Sequence, residues 1–264
     1  MRLEPVPPSI RTLLADFPTV RAASEAVSAV IATGIVPAAM EMMDRACVAA
    51  VEASIYAAGY PTDAAAVLLV ELDGQADAVE AESETVDAIL RERGARTVRS
   101  ASSVADRARL WQGRKKAFGA MGRIAPDLAV QDAVVPRSAL PDIMDRIAEI
   151  RDRHCLSISN VFHAGDGNLH PNISFDRRDP DVVHRVHVAC REIMAACVEA
   201  GGSITGEHGV GSDKLDYLPW IFDPETLAMM RAVRQAFDPA ERANPGKVVP
   251  LHACREWRAA PGVP

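Results

Sequence analysis

The sequence lacks a hydrophobic run long enough to cross a bilayer, and it also lacks a block of basic residues. A transmembrane helix needs about 20 consecutive apolar residues, and the 264-residue chain has no such segment. Its formal net charge of −7 disfavours nucleic acid as a partner. The N-terminus carries an acid and several prolines where a secretory signal needs apolar residues. These absences predict a cytoplasmic protein and leave membrane association through a complex open.

Cysteine is scarce, and no glycine-rich pyrophosphate loop is evident. The five cysteines are scattered, odd in number and never spaced as C-x-x-C; they are Cys47, Cys155, Cys190, Cys197 and Cys254. This usage disfavours a disulfide framework or a cysteine-ligated metal and predicts reduced structural thiols.

The order of apolar segments predicts a mixed fold. Hydrophobic residues make up 48% of the chain, which is enough for one large domain or two small ones. Their spacing predicts the order β-α-β-β-α-β twice, in residues 11–100 (with an extra helix at 45–58) and in residues 128–206. That order is typical of ferredoxin-like folds. We therefore predict an α+β fold in which a duplicated ferredoxin-like (βαββαβ) antiparallel sheet is covered by helices.

Several element boundaries can also be predicted. Val20, Ala23, Val27 and Val30 recur at helical spacing and predict a helix that ends at Gly34. Residues 105–121 are expected to form one helix, residues 128–135 and 169–175 one strand each, and residues 203–205 the last strand of the second repeat. Asp-Pro pairs that begin at Asp179, Asp223 and Asp238 predict helix starts, since aspartate caps a helix and proline suits its first turn. Glu241 completes a possible capping box with Asp238.

Two histidines bracket a loop rich in glycine in the segment HAGDGNLH, residues 163–170. Glycine, aspartate and asparagine favour a tight connection between strands, which would bring His163 and His170 together. Neutral imidazole is a common metal ligand. The alternative is that both histidines are ordinary polar residues beside a turn.

A second polar segment, GEHGVG at residues 206–211, places a carboxylate beside an imidazole between glycines. A phosphate loop is disfavoured because Glu207 would repel an anion and the spacing is not G-x-G-x-x-G. Joined to the first segment, it would give His163, His170 and Glu207 as an open metal site with His208 beside it to move a proton. In a simple split βαβ sheet, however, Glu207 would lie far from His163, and the sequence does not resolve this conflict.

The helix predicted at residues 105–121 contains the segment WQGRKK, residues 111–116. Arg114 could hold a carboxylate through two parallel hydrogen bonds. The alternative is a solvated charge cluster. Asp132 interrupts an apolar strand and needs a hydrogen-bond donor if it is buried, perhaps a basic residue of this helix.

Five segments together resemble the FAD-linked oxidase C-terminal domain family, which includes subunits of glycolate oxidase and the D-lactate and D-2-hydroxyglutarate dehydrogenases. These segments are PAAMEMMD (37–44), WQGRKKAFGAMGRIAPD (111–127), NVFHAGDGNLHP (160–171), GGSITGEHGVG (201–211) and AFDPAERANPGK (236–247). The resemblance implies that residues 11–250 form the domain that caps the flavin and shapes the substrate pocket. Residues 1–10 would be the end of an FAD-binding domain missing from this sequence, and residues 251–264 a tail.

The resemblance also implies roles for single residues. His163, His170 and Glu207 match ligands of a divalent metal, usually zinc, and His208 matches the catalytic base. Asn168 and Arg114 match substrate contacts, Arg114 through the carboxylate. Asn244 and Lys247 match the segment that contacts the flavin. Phe118 stands where hydroxyglutarate-specific relatives have polar groups, which favours a smaller substrate.

The predicted function is oxidation of glycolate or D-lactate to a 2-oxo acid, with hydride transfer to FAD that is bound mainly by the missing domain. Expected partners are the 2-hydroxy acid, a flavin-domain protein and other oxidase subunits. Two alternatives stay open: a flavin-free metal-dependent hydrolase or lyase, and a non-catalytic remnant or assembly subunit.

Overall fold

The computed structural model describes residues 5–249 of the chain. The chain divides into two compact units, one ending at Gly202 and the other beginning at Ser203. Cys254, the predicted tail and the first four residues of the predicted segment 1–10 lie outside the described residues. None of the helices described in residues 5–249 is both long and apolar enough to cross a membrane.

The N-terminal half of the first unit contains the predicted β-α-β-β-α-β order and the extra helix. Its elements are β1 (Ser9–Phe17), α1 (Val20–Ala32), β2 (Ala39–Asp44), α2 (Arg45–Glu52), β3 (Ala66–Gly74), α3 (Ala76–Glu92) and β4 (Thr97–Ser100). The strands pair antiparallel in the order β4-β1-β3-β2. In this order every strand runs antiparallel to the strands it is hydrogen-bonded to, as in a split βαβ sheet.

Local sequence explains where α1 begins and ends. The Thr19 side chain accepts a hydrogen bond from the Ala22 amide (3.1 Å), which satisfies a donor that the first helical turn leaves unpaired. Val27 and Val30, on the predicted apolar face, are fully buried. Gly34 follows the helix with φ = +86°, a conformation that glycine adopts without strain.

The predicted helix over residues 105–121 is divided into α4 (Val104–Lys115) and α5 (Ala117–Met121). With α2, these helices cover one face of the sheet. The side chains in this core include Leu14, Met43, Val48, Val67, Leu69, Leu110, Met121 and Val161.

The second half of the unit follows the predicted order but breaks two predicted strands. Its elements are β5 (Asp127–Val130), β6 (Ala133–Val134), α6 (Leu140–His154), β7 (Ser157–His163), β8 (Asn168–Leu169), β9 (Pro171–Phe175) and α7 (Pro180–Glu199), with a 3-10 turn at Arg137–Ala139. Residues 128–135 are interrupted at Gln131 and Asp132, and residues 169–175 at His170. Both interruptions lie at one long-range contact, in which the Gln131 carbonyl accepts a hydrogen bond from the His170 ring. A side chain is thus bonded where a regular ladder would use only backbone groups.

The two halves join through β2 and β7, which pair antiparallel with Glu41 opposite His163 and Met43 opposite Val161. β7 pairs in turn with β8 and β9, β6 with β8 and β5 with β9. The α+β class and the antiparallel sheet are therefore confirmed.

The predicted last strand of the second repeat is wrong. Residues 203–205 form no strand beyond an isolated bridge at Ser203. Gly202 explains how the chain leaves α7, because a Cβ atom there would lie 2.0 Å from the Val134 carbonyl oxygen and 2.6 Å from that of Cys197. The backbone thus passes closely over β6 at a position that only glycine can occupy.

The second unit contains a 3-10 helix (Leu215–Trp220) and α8 (Pro224–Phe237). Asp223 caps α8 as predicted, since its side chain accepts a hydrogen bond from the Thr226 amide (2.7 Å). The helix start predicted at Asp238 is wrong. Asp238 instead ends α8, and its carboxylate accepts from the amides of Arg242 (3.0 Å) and Ala243 (2.7 Å) to close a turn.

Two glycines of α4 and α5 provide a test of this packing. A Cβ atom at Gly113 would lie 2.8 Å from atoms of Ala58 and Tyr60, whereas one at Gly119 would meet nothing within 4 Å. We expect Gly113→Ala to lower the free energy of unfolding by about 1–3 kcal/mol through overpacking. Gly119→Ala should leave it unchanged or raise it by up to about 1 kcal/mol. Denaturant unfolding measures both, and equal effects would contradict the packing of α4.

Candidate functional site

The loop between His163 and His170 is a tight hairpin, as predicted. His163 pairs with Asn168 across the connection of residues 164–167, and Gly167 has φ = +70°. The Gly165 amide donates to the Met40 carbonyl (3.0 Å), and the Val135 amide donates to the Gly167 carbonyl (2.9 Å). Bonds to β2 on one side and to the residue that follows β6 on the other therefore hold this loop.

The hairpin brings the two imidazole rings together, with centroids 5.5 Å apart and planes at 83°. His163 uses Nδ1 to contact a Glu41 oxygen (2.7 Å). His170 uses Nδ1 to donate to the Gln131 carbonyl (3.2 Å). Because a carbonyl oxygen only accepts, Nδ1 of His170 carries a proton, and in the neutral ring Nε2 then holds the lone pair. Metal-binding histidines are typically oriented in this way by a carboxylate or carbonyl at the second nitrogen.

His170 is almost fully buried, and a carboxylate and an aromatic ring are among its described neighbours. Asp132, which is completely buried, has an oxygen 3.9 Å from Nδ1 of His170. His170 is thus a basic neighbour of Asp132, whereas the sequence had suggested a basic residue of the helix that contains Arg114. Phe118 meets the His170 ring edge-on, with centroids 6.3 Å apart.

Glu41 is a buried carboxylate between a histidine and an arginine. One of its oxygens contacts Nδ1 of His163, and the other accepts from Nε of Arg114 (2.9 Å). Burial raises the pKa of Glu41, but the hydrogen bond from His163 and the positive charge of Arg114 outweigh it, so the pKa lies below its usual value. Glu41 is therefore the ionised centre of this group.

Arg114 lies in the buried part of α4, with only 6% of its surface exposed. The alternative of a solvated charge cluster is wrong for this residue, although the neighbouring Lys115 and Lys116 are exposed. Nη2 of Arg114 lies 2.6 Å from Glu41, but none of the described residues accepts a well-aligned hydrogen bond from it. The carboxylate that Arg114 holds in the structure is thus that of Glu41, and Nη2 keeps some hydrogen-bonding capacity.

Asn168, the other predicted substrate contact, follows the hairpin turn directly opposite His163. It is 7% exposed, and its side-chain oxygen has no hydrogen-bond partner among the described residues. A buried, unpaired acceptor of this kind is uncommon in proteins. The side-chain oxygen of Asn168 is thus available to accept a hydrogen bond from a bound ligand.

A cleft of about 390 Å³ opens beside His163. Its polar lining includes Glu41, Arg137, His163 and Asp166, and its apolar lining includes Val36. This size is at the lower end of the usual range for small-molecule pockets.

Glu207 and His208 belong to the second unit. Neighbouring side chains of an extended segment point in opposite directions, but here a Glu207 oxygen lies 3.7 Å from Nε2 of His208. The loop is bent and not extended: Gly209 has φ = +78°, and its amide donates to the Thr205 hydroxyl (2.9 Å). Both side chains are about half exposed.

Asn244 and Lys247 lie in a turn that α8 supports. Asn244 has φ = +49°, and Arg234 of α8 donates to the carbonyl oxygens of Asn244 and Lys247 (both 2.9 Å). The Arg234 side chain thus holds the backbone of this turn. Contact of Asn244 and Lys247 with a flavin stays a prediction.

The sequence reasoning missed Glu41, although a signal was present. Glu41 interrupts the apolar strand segment AMEMM, and a charged residue in a buried strand needs a partner. The same argument had been applied to Asp132 but not to this glutamate.

Comparison with known proteins shows what this chain resembles. The chain is 46% identical to glycolate oxidase subunit GlcD of Escherichia coli (strain K12) over 260 residues, which cover 98% of this chain and 52% of that protein. It is 28% identical to a mitochondrial D-lactate dehydrogenase [cytochrome] of Arabidopsis thaliana, covering 96% and 45%. It therefore spans about half the length of these relatives.

The fold is also found among solved structures. A 4-ethylphenol oxidase from Gulosibacter chungangensis, in complex with isoeugenol, matches with a TM-score of 0.72 at 17% identity, covering 95% of this chain and 56% of that one. At this identity the likeness shows the fold alone. The model of one family, "FAD linked oxidases, C-terminal domain", matches residues 6–248. The chain therefore belongs to the family of FAD linked oxidase C-terminal domains.

Proposed function

We propose that this chain forms the substrate-side domain of a flavin-dependent oxidoreductase that converts a small 2-hydroxy acid to the 2-oxo acid. The observation that carries the proposal is the pair of crossed imidazoles, His163 and His170, each held through Nδ1, with His163 lining a cleft. Family membership supplies the redox partner, since FAD accepts the hydride when it is bound. An FAD-binding domain would hold most of that cofactor, with Asn244 and Lys247 as contacts from this chain.

The proposed substrate is glycolate or D-lactate. The names of the relatives point to these two acids. The contact of Phe118 with His170 places an aromatic ring beside the histidine pair, and such a ring offers no hydrogen bond to a second carboxylate. This favours a short substrate over a dicarboxylate.

The proposed metal ligands are His163, His170 and Glu207, and zinc is the proposed ion. Two imidazoles and one carboxylate form a ligand set typical of catalytic zinc sites with an open position. The fixed orientation of both rings supports this assignment because Nδ1 is engaged in each case. A divalent ion bound there would lower the pKa of the substrate hydroxyl and fix its position.

The chain's own residues would bind the substrate and move one proton. Arg114 would contribute Nη2 to the substrate carboxylate, and Asn168 would offer its unpaired side-chain oxygen to a substrate donor. His208 would take the proton of the hydroxyl group at its ring nitrogen, a role that suits imidazole near neutral pH. A flavin-domain protein and other oxidase subunits are the proposed partners, and the cytoplasmic location stays a prediction.

Flavin reduction tests the proposed function. The FAD-loaded enzyme that contains this chain should lose its oxidised-flavin absorbance when glycolate or D-lactate is added without oxygen, and glyoxylate or pyruvate should form. Acetate is the matched control, since it has the carboxylate but no 2-hydroxyl group to oxidise. A flavin that stays oxidised with both hydroxy acids would contradict the proposal, and hydrolysis or elimination without flavin reduction would favour a metal-dependent hydrolase or lyase.

A further inference from the structure

Glu41 connects two residues of the proposed site that belong to different elements. It lies on β2 directly opposite His163 of β7, and α4 supplies Arg114 from above the same sheet face. One carboxylate oxygen is 2.7 Å from Nδ1 of His163, and the other is 2.9 Å from Nε and 2.6 Å from Nη2 of Arg114. Each oxygen therefore serves one partner.

This arrangement determines which nitrogen of His163 carries the proton. Two nitrogens of Arg114 lie against the second oxygen of Glu41, so the first oxygen is left to accept from Nδ1 of His163. When the ring is neutral, its lone pair is then on Nε2. Arg114 contributes by occupying the second oxygen, since a guanidinium group has only donors. With both oxygens held, the carboxylate cannot rotate away from the histidine.

We propose that Glu41 is a positioning residue of the metal site: held by Arg114, it keeps Nδ1 of His163 protonated and presents Nε2 to the ion. This inference rests on the proposed function, because it requires that His163 be a ligand. It assigns Arg114 a second task beside its proposed contact with the substrate.

A second buried carboxylate of the same sheet face provides a matched control. Glu71 on β3 accepts hydrogen bonds from Arg107 (2.8 and 2.6 Å), from the Trp111 indole (2.6 Å) and from the Thr12 hydroxyl (2.7 Å). Arg107, Trp111 and Arg114 are spaced along one side of α4. Glu71 and Glu41 thus both connect α4 to the sheet. Of the described hydrogen bonds of these two glutamates, those of Glu41 include a histidine and those of Glu71 do not.

Glu41→Gln separates positioning from simple support of the fold. The amide must turn its oxygen to Arg114, so its NH₂ group faces Nδ1 of His163 and favours the proton on Nε2, where it blocks metal binding. We expect the Kd for zinc, measured on the folded enzyme by competition with a chelator, to rise about 10- to 100-fold. Glu71→Gln should lower the thermal midpoint of unfolding yet leave the Kd for zinc unchanged.

The outcomes are distinguishable. Equal zinc affinity in wild type and Glu41→Gln would overturn the positioning role while leaving the proposed metal site intact. A loss of zinc affinity in Glu71→Gln as large as that in Glu41→Gln would overturn it as well. A wild-type enzyme that binds no zinc would contradict the metal site itself.

If Glu41→Gln does not fold, Glu41→Leu/Arg114→Met removes both buried charges together, a change that proteins tolerate. Because it also removes the acceptor for Nδ1, wild-type zinc affinity in this double variant would equally refute the inference.

Discussion

Replacing His170 by alanine should remove the metal and the activity together. The wild-type enzyme is expected to hold about one divalent ion per chain, and His170→Ala close to none, because two remaining protein ligands hold an ion poorly. Oxidation of the 2-hydroxy acid should fall by at least about 10³-fold, since a metal ion contributes several kcal/mol to stabilising developing charge. Elemental analysis and initial rates measure the two effects.

His187 provides the control for this experiment. It is an exposed histidine of α7, so His187→Ala changes the histidine count without touching the hairpin. Metal content and activity should both equal those of the wild type. If His170→Ala keeps its full metal content, His170 is not a ligand and the proposed site is wrong.

Replacing His208 by asparagine should separate proton transfer from metal binding. If His208 is the base, the ion stays in place and the rate constant for oxidation falls by roughly 10²- to 10⁴-fold, the usual contribution of a general base. His163→Asn should lose metal and activity together. Elemental analysis beside single-turnover flavin reduction distinguishes the two variants.

The bend at Gly209 makes this comparison informative. Because a Glu207 oxygen lies 3.7 Å from Nε2 of His208, an ion bound by Glu207 could also be bound by His208. A His208→Asn variant that loses the metal as completely as His163→Asn would identify His208 as a ligand and would contradict its assignment as the base.

The elements that the sequence predicted well are those whose signals are local. The spacing of Val27 and Val30 and the glycine at residue 34 predicted α1, because a helix face and a helix end depend on residues a few positions apart. The glycines between His163 and His170 predicted the hairpin for the same reason. The broken strands at Gln131 and His170 and the absent strand at residues 203–205 were missed, since each depends on a contact with a distant segment.

The same division applies to the candidate site. His163 and His170 could be paired from the sequence because a hairpin joins them, and family resemblance supplied roles for Arg114 and His208. The contact of Arg114 with Glu41 could not be predicted, because 73 residues separate them and the pair forms only when α4 packs on the sheet.

The sequence by itself determined the α+β class, the first repeat and the hairpin that brings the two imidazoles together. Each of these follows from short-range patterns of apolar residues, caps and glycines. Only the tertiary structure decided that β2 pairs with β7 and puts Glu41 opposite His163, and that α4 covers them with Arg114. Strand partners and helix docking depend on which buried surfaces fit together over the whole unit, and a buried carboxylate takes its role from the neighbours that this packing gives it.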